Sequence, residues 1–220
     1  RPVAPALLIA RIKAALGSTE QSSAHVVALW DSKGGVGTTT VASNLAVALR
    51  LKTEKRVTLV DASVLAGTLG VVLNLPPRRT MNDLLAHLND LDAELLASVL
   101  TKHSSGVRVL LSAPWNTDGD GVHPAQLERV LGWLRDSSDY IVIDTAPSLD
   151  ESTVAVLHLA DQVAVLMTPE MTALRNARVF LGAAQSWGLR SDKFVLVLNR
   201  DLLSGGVKLE DVQKSLHKRI

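Results

Sequence analysis

The chain has 220 residues with 23 Lys and Arg against 22 Asp and Glu, so its formal net charge of +1 creates no strong field that would recruit nucleic acid or an acidic membrane. A hydrophobic fraction of 47% argues against disorder, while the absence of cysteine excludes disulfides, thiolate metal sites and thiol nucleophiles. No window approaches ~18 uninterrupted apolar residues and the first residues lack the layout of a signal peptide, so we expect a cytoplasmic protein without a spanning helix.

The first 23 residues are predicted to be an appendage to a larger domain. Leu8, Ile12 and Leu16 recur at helical spacing on one face, and the polar residues 17–23 are typical of a linker. Residues 1–16 resemble the closing segment of response-regulator receiver domains, while a generic amphipathic helix that packs on the main domain or on a second copy is an equal alternative. We therefore divide the chain into a receiver-like helix with linker, 1–23, and a main domain, 24–220, which we expect to be truncated at its C-terminal end.

From residue 25 onward, short apolar runs alternate with longer segments of helical periodicity. Strands are predicted at 25–30, 57–61, 107–112, 140–144, 162–168 and 194–199. Helices are predicted at 39–52, 81–88, 92–102, 124–136, 151–159 and 172–187. Strands that are apolar on both faces are typical of parallel strands covered by helices on either side. The alternation predicts an α/β fold, a three-layer, doubly wound and mostly parallel sheet.

A glycine-rich loop joins the first predicted strand to the first long helix. Three glycines occupy positions 34, 35 and 37. They allow the backbone to curl so that successive N–H groups point inward, and the start of the following helix adds its positive dipole end. The loop therefore predicts a cradle for a polyphosphate, with an ordinary turn between strand and helix as the alternative.

This loop resembles the deviant Walker A loop of the MinD/ParA family, K-G-G-x-G-K-[ST]-T, through Lys33, Gly34, Gly35, Gly37, Thr39 and Thr40. The resemblance implies a P-loop NTPase that binds ATP or ADP with Mg²⁺. It implies that Lys33 is a catalytic residue that reaches the phosphates of a partner's nucleotide, that the Thr39 hydroxyl lies on Mg²⁺, and that Thr40 contacts a phosphate. Nucleotide binding is assigned to Gly34, Gly35, Val36, Gly37, Thr38, Thr39 and Thr40.

Two positions depart from the family pattern. Thr38 stands where the family has the lysine that neutralises phosphate charge from within the same loop. At the end of the second strand Asp61 matches the first carboxylate of the family's Asp-x-Asp and is assigned a catalytic role, but Ser63 replaces the second, which positions the attacking water. A carboxylate that caps the following turn is the alternative for Asp61. We expect a degenerate ATPase in which hydrolysis is weak or absent.

Two further strand ends complete the expected site. Residues 140–144 have the form of a Walker B strand, so Asp144 is expected to hold Mg²⁺ and to sense the γ-phosphate, with capping as the alternative. The strand that ends at Asn199 resembles the family segment whose Asn pairs with adenine, since a carboxamide offers one donor and one acceptor. Asn at a strand end is also a common turn former.

Four further segments resemble the CpaE/TadZ branch of the family, which assembles Flp (type IVb, Tad) pili: 75–85, 174–178, 198–200 and 205–207. The alternative for 75–85 is a loop before a capped helix, and the alternative for 174–178 is a solvated helix face. The branch implies an ATP-gated homodimer in the bacterial cytoplasm that recruits pilus or secretion proteins, at a cell pole or peripherally at the inner membrane. The alternatives are a hydrolysing partitioning ATPase for DNA, septum or flagellar placement, and a vestigial loop in the output domain of a receiver. Charge and composition give no strong sign of nucleic acid.

Overall fold

The structure is a computed structural model that describes residues 24–63, 67–112, 122–199 and 207–216, so the predicted appendage 1–23 lies outside the described residues. The strands are β1 (His25–Asp31), β2 (Val57–Asp61), β3 (Thr101–Lys102), β4 (Arg108–Leu110), β5 (Tyr140–Asp144), β6 (Gln162–Met167) and β7 (Phe194–Leu198). The α-helices are α1 (Thr38–Thr53), α2 (Leu69–Val72), α3 (Met81–Ala86), α4 (Ala93–Val99), α5 (Pro124–Ser137), α6 (Glu151–Leu159), α7 (Met171–Ser186) and α8 (Leu209–Leu216).

The strands form one seven-stranded sheet in the order β3-β4-β2-β5-β1-β6-β7. Every neighbouring pair is parallel except β3 and β4. This arrangement confirms the predicted α/β fold with a mostly parallel sheet. Because the central strands β2, β5 and β1 are neighbours and parallel, their carboxyl ends share one edge, where ligands bind in open α/β sheets.

The prediction of one helix over 92–102 is wrong at its C-terminal end. Helix α4 ends at Val99, and Leu100 already has an extended backbone. The next two residues form β3, which pairs antiparallel with β4. A strand of two residues is held by its neighbour and not by its own periodicity, so the local pattern of apolar residues cannot reveal it.

The core lies on both faces of the sheet. Trp30 on β1 belongs to the layer under α5, α6 and α7, where its ring stacks on Phe180 with centroids 3.9 Å apart. Leu29, the preceding residue, belongs to the opposite layer, with Leu45 and Leu49 of α1. This alternation holds α1 against one face, so the loop that precedes α1 is fixed over the ends of the central strands.

Segment 75–85 contains a loop followed by helix α3, the alternative that the sequence left open. The Thr80 backbone N–H donates a hydrogen bond to Asp83 Oδ2 at 2.7 Å, and the two residues form a capping box. In the part of the chain that the structure describes, no helix has the length and apolar character needed to cross a bilayer.

Candidate functional site

The glycine loop between β1 and α1 presents an open backbone. Gly34 and Gly35 are exposed, and a Cβ added to either would meet nothing within 4 Å. Val36, in contrast, is fully buried in the layer under α1 and anchors the loop. Because one side of the loop is anchored and the other is bare, its N–H groups are accessible to an anion at the start of α1.

Gly37 and Asn199 explain how the loop is held at its end. Gly37 has a φ of 96°, and a Cβ there would lie 2.7 Å from Asn199 Nδ2, so only glycine fits. The Asn199 side-chain amide donates to the Val36 carbonyl oxygen at 2.7 Å. The structure therefore brings Asn199 to the loop, as the sequence predicts, and one of its amide hydrogens is used there. Its contact with a base stays a prediction.

Asp144 lies beside the start of α1. It is 3% exposed, and its Oδ1 atom has no hydrogen-bond partner among the described residues. Burial raises the pKa of Asp144 to about 7; interaction with the Thr39 hydroxyl partly offsets this, and the nearby carboxylates of Asp61 and Asp31 raise it further. An unsatisfied buried carboxylate oxygen beside a hydroxyl, below an anion cradle, fits the oxygen ligands that Mg²⁺ prefers.

Asp61 has the capping geometry that the sequence left as its alternative. Its Oδ1 accepts a hydrogen bond from the Ser63 N–H at 3.1 Å, and its Oδ2 accepts one from the Leu69 N–H, at the start of α2, at 3.3 Å. A Cβ on Gly67 would lie 2.5 Å from Oδ2, so the chain folds closely around this carboxylate. Burial raises the pKa of Asp61 to about 6, although both backbone hydrogen bonds lower it. Its catalytic role stays a prediction.

Lys33 forms an ion pair with Glu170, the residue that precedes α7. A second contact joins the same helix to the loop, because the Asn176 side-chain amide donates to the Ser32 carbonyl oxygen at 2.9 Å. The sequence analysis assigned no role at the site to Glu170 or to Asn176 of α7. The position of Glu170, soon after the end of β6, places it at the same sheet edge and is a signal that could have found it.

Asp31 and Thr38 are the two buried polar residues at the ends of the loop. Each is 6% exposed, and Asp31 Oδ1 and Thr38 Oγ1 have no hydrogen-bond partner among the described residues. Burial raises the pKa of Asp31 to about 6, and a backbone hydrogen bond partly offsets this. Thr40, in contrast, is exposed at the outer side of α1. The sequence analysis missed Asp31 because no family motif includes it.

Comparisons with known proteins agree with this geometry. The AAA_31 family model, an AAA domain, matches residues 24–188. The chain is similar to the septum site-determining protein MinD of Synechocystis sp., with 31% identity over 178 residues that cover 80% of this chain and 64% of the relative. The chain thus spans less than two thirds of that relative's length.

Two solved structures share the fold. A ParA family ATPase from Chlorobium tepidum superposes with a TM-score of 0.84 at 23% identity. The superposition covers 91% of this chain and 83% of the ParA family chain. MinD from Pyrococcus horikoshii, solved in complex with Mg-ADP, superposes with a TM-score of 0.73 at 23% identity. The superposition covers 88% of this chain and 77% of the MinD chain. The family model, the sheet order and the glycine loop agree, and the chain therefore belongs to the MinD/ParA family of P-loop ATPases within the AAA domains.

Proposed function

We propose that this chain binds ATP or ADP with Mg²⁺, that the nucleotide gates a homodimer, and that the dimer localises components of a bacterial pilus or secretion machine with weak or no hydrolysis. The observation that carries the nucleotide part is Asp144, whose buried Oδ1 has no partner among the described residues and which lies next to Thr39 at the start of α1. The pilus part rests on the sequence resemblance to the CpaE/TadZ branch.

The residues of the site divide the work of binding. The backbone N–H groups of the open loop would hold the phosphates, while Thr39 and Asp144 would hold Mg²⁺. Bound Mg²⁺ supplies positive charge on the phosphate oxygens. Burial raises the pKa of Asp144 to about 7 because it disfavours the charged carboxylate, and a cation bound beside it would stabilise that charge and lower the pKa again.

Two charged groups of the family pattern are replaced in this sequence, which favours slow ATP hydrolysis. Thr38 supplies no ammonium to the phosphates, and the Ser63 hydroxyl does not accept a proton from water at neutral pH. Losing one such electrostatic contact typically costs on the order of 10²–10³-fold in rate. A site that binds tightly but turns over slowly suits a protein whose output is the bound dimer.

Three exposed apolar side chains on segments that follow strand ends support a dimer surface at the carboxyl edge of the sheet. Val71 on α2 is 84% exposed, Leu149 after β5 is 41% exposed, and Met171 at the start of α7 is 71% exposed. Val71, Leu149 and Met171 follow the carboxyl ends of β2, β5 and β6, and the loop follows that of β1. Exposed apolar groups at one edge of a sheet are typical of surfaces that meet a partner.

A calorimetric titration with ATP in excess Mg²⁺, followed by light scattering of the complex, tests the proposal. We expect saturable binding, a doubling of mass, and loss of the Mg²⁺-dependent part of binding in Asp144→Ala. The matched control is Asp136→Ala, an exposed carboxylate on α5, which should behave as the wild type. Absence of binding at millimolar ATP, about the weak limit of specific affinity, would refute the nucleotide part.

The same preparation tests the partner class. Sedimentation with anionic liposomes and a gel shift with non-specific duplex DNA, both at physiological salt, should show no ATP-dependent binding. Binding to either at micromolar affinity, which corresponds to about −8 kcal/mol, would favour the partitioning ATPase over the pilus factor.

A further inference from the structure

Unpaired buried oxygen atoms concentrate where the glycine loop meets the ends of β1 and β5. Within the described ranges, Asp31 Oδ1, Ser32 Oγ, Thr38 Oγ1 and Asp144 Oδ1 are buried and make no hydrogen bond. Their residues are between 3% and 6% exposed. Buried polar atoms in folded proteins nearly always have a partner, so these oxygens need one from outside the described residues, either water or a bound ligand.

Asp31 and Asp144 carry two of these oxygens, and both residues lie on the face of the sheet that α1 covers. Leu29 pairs with Asp144 across β1 and β5, and Asp31 is two residues further along the same strand. Residues two apart on a strand share a face, so Asp31 lies on the face of Leu29, which packs against α1. The carboxylate of Asp31 is close enough to raise the pKa of Asp144, although burial is the larger cause.

Among the residues that the structure describes, no positive side chain forms an ion pair that balances this negative charge. Among the ion pairs of the described residues, none involves Asp31, Asp61 or Asp144, and Lys33 is paired with Glu170. Thr38 replaces the lysine that the family carries at this position. A bound nucleotide would add further negative charge to buried carboxylates, and one Mg²⁺ at Thr39 and Asp144 leaves Asp31 uncompensated.

We propose that a monovalent cation of about the size of an ammonium group, K⁺ in the first instance, binds with the nucleotide in the place of the missing lysine, and that the Asp31 carboxylate and the Thr38 hydroxyl are its protein ligands. The inference rests on the proposed nucleotide function. A second divalent ion suits the site less well, because the described residues contain no group of three or more His, Cys, Asp or Glu that could hold one. K⁺ also accepts neutral oxygens, so the Thr38 hydroxyl can serve as a ligand beside the Asp31 carboxylate, which supplies the negative charge.

Calorimetry of ATP binding in excess Mg²⁺ at constant ionic strength, in KCl and in tetramethylammonium chloride, tests the cation. Coupling between two ligands is typically several-fold to a hundredfold, so we expect the wild type to bind ATP about tenfold more tightly in KCl. Asp31→Asn should lose this difference. Thr38→Lys, which supplies a tethered ammonium, should bind equally tightly in both salts. The matched control Asp192→Asn, an exposed carboxylate outside the site, should keep the wild-type difference.

The outcomes separate the cation from the nucleotide function. Equal ATP affinity of the wild type in both salts would overturn the cation and leave nucleotide binding intact. Absence of ATP binding in every salt would overturn the proposed function and the cation with it. A salt difference that persists in both Asp31→Asn and Thr38→Lys would overturn the assignment of these two ligands. If Asp31→Asn fails to fold, the comparison of ATP affinity in the two salts for Thr38→Lys alone decides whether the cation site is correct.

Discussion

The ammonium of Lys33 and the carboxylate of Glu170 form an ion pair that ties the glycine loop to the start of α7 within one chain. The two side chains are 33% and 43% exposed, so solvent screens the pair, and surface ion pairs typically contribute about 0–1 kcal/mol. An interaction this weak is easily exchanged for another anion. Lys33 is therefore held beside its own loop in the single chain by a contact that a more highly charged anion would displace.

Lys33→Ala should weaken ATP-dependent self-association more than it weakens ATP binding by the monomer. Its ammonium is engaged by Glu170 and contributes little to its own loop, whereas the family resemblance places it on the partner's phosphates. Sedimentation at several protein concentrations gives the dimer constant, and calorimetry gives the ATP affinity. Lys102→Ala, on the edge strand β3, is the matched control. An equal loss of both affinities would contradict the role in trans.

Glu170→Gln should strengthen the ATP-dependent dimer by up to about fivefold, since it removes the competing carboxylate from a pair worth at most about 1 kcal/mol. The glutamine keeps an oxygen that can accept the hydrogen bond from the Thr168 hydroxyl. Folding stability should therefore change little, as measured by urea unfolding. A weaker dimer in this variant would show that Glu170 supports dimerisation and does not compete with it.

Steady-state ATP hydrolysis should be slow, and Thr38→Lys combined with Ser63→Asp should raise it. Each substitution restores one charged group, and each such group is typically worth on the order of 10²–10³-fold in rate. A phosphate-release assay on the wild type, the single variants and the double variant measures this. Brisk wild-type turnover that Asp144→Ala abolishes would show that the two departures from the family pattern do not limit the chemistry.

Two substitutions of Asp61 distinguish a capping role from a catalytic role. Asp61→Ala leaves the N–H groups of Ser63 and Leu69 without their acceptor, so we expect a loss of about 1–2 kcal/mol in the free energy of unfolding. Asp61→Asn keeps one acceptor oxygen but turns its NH2 group toward the other N–H donor, so we expect it to lose stability, although less than Asp61→Ala does. If Asp61→Asn is still folded under the assay conditions yet removes the residual ATP turnover, the catalytic role predicted from the sequence holds.

We expect Asp139, at the opposite edge of the sheet, to make the free energy of unfolding depend on pH. Hydrogen bonds from the Arg56 side chain lower the pKa of Asp139, so its contribution is present above the unfolded pKa and is lost as pH falls through the folded one. Because Asp139 is 33% exposed, Asp139→Asn should cost less than about 1 kcal/mol at pH 7. Urea unfolding should show this difference shrinking below about pH 4. A difference independent of pH would contradict the ion pair.

The sequence by itself determined the features that depend on neighbouring residues. The alternation of apolar strands and longer helices gave the α/β sheet, because periodicity is local to each element. The glycine loop was predicted for the same reason, since the positive φ of Gly37 and the bare backbone of Gly34 and Gly35 follow from residues that have no side chain. The strand ends at Asp61 and Asp144 were placed at one edge by parallel pairing alone.

Only the tertiary structure decided what these residues touch. Lys33 meets Glu170 across 137 positions of sequence, and the two-residue strand β3 exists because β4 pairs with it. Asp61 caps α2 because the chain returns close enough for Leu69 to donate to it. Asp31 is buried without an ion pair among the described residues because it packs under α1, and no motif records this. Lys33 and Glu170 are distant in sequence, whereas β3 meets β4 and Asp61 meets Leu69 across short connections. In each case the local pattern of residues carries no information about which segments meet.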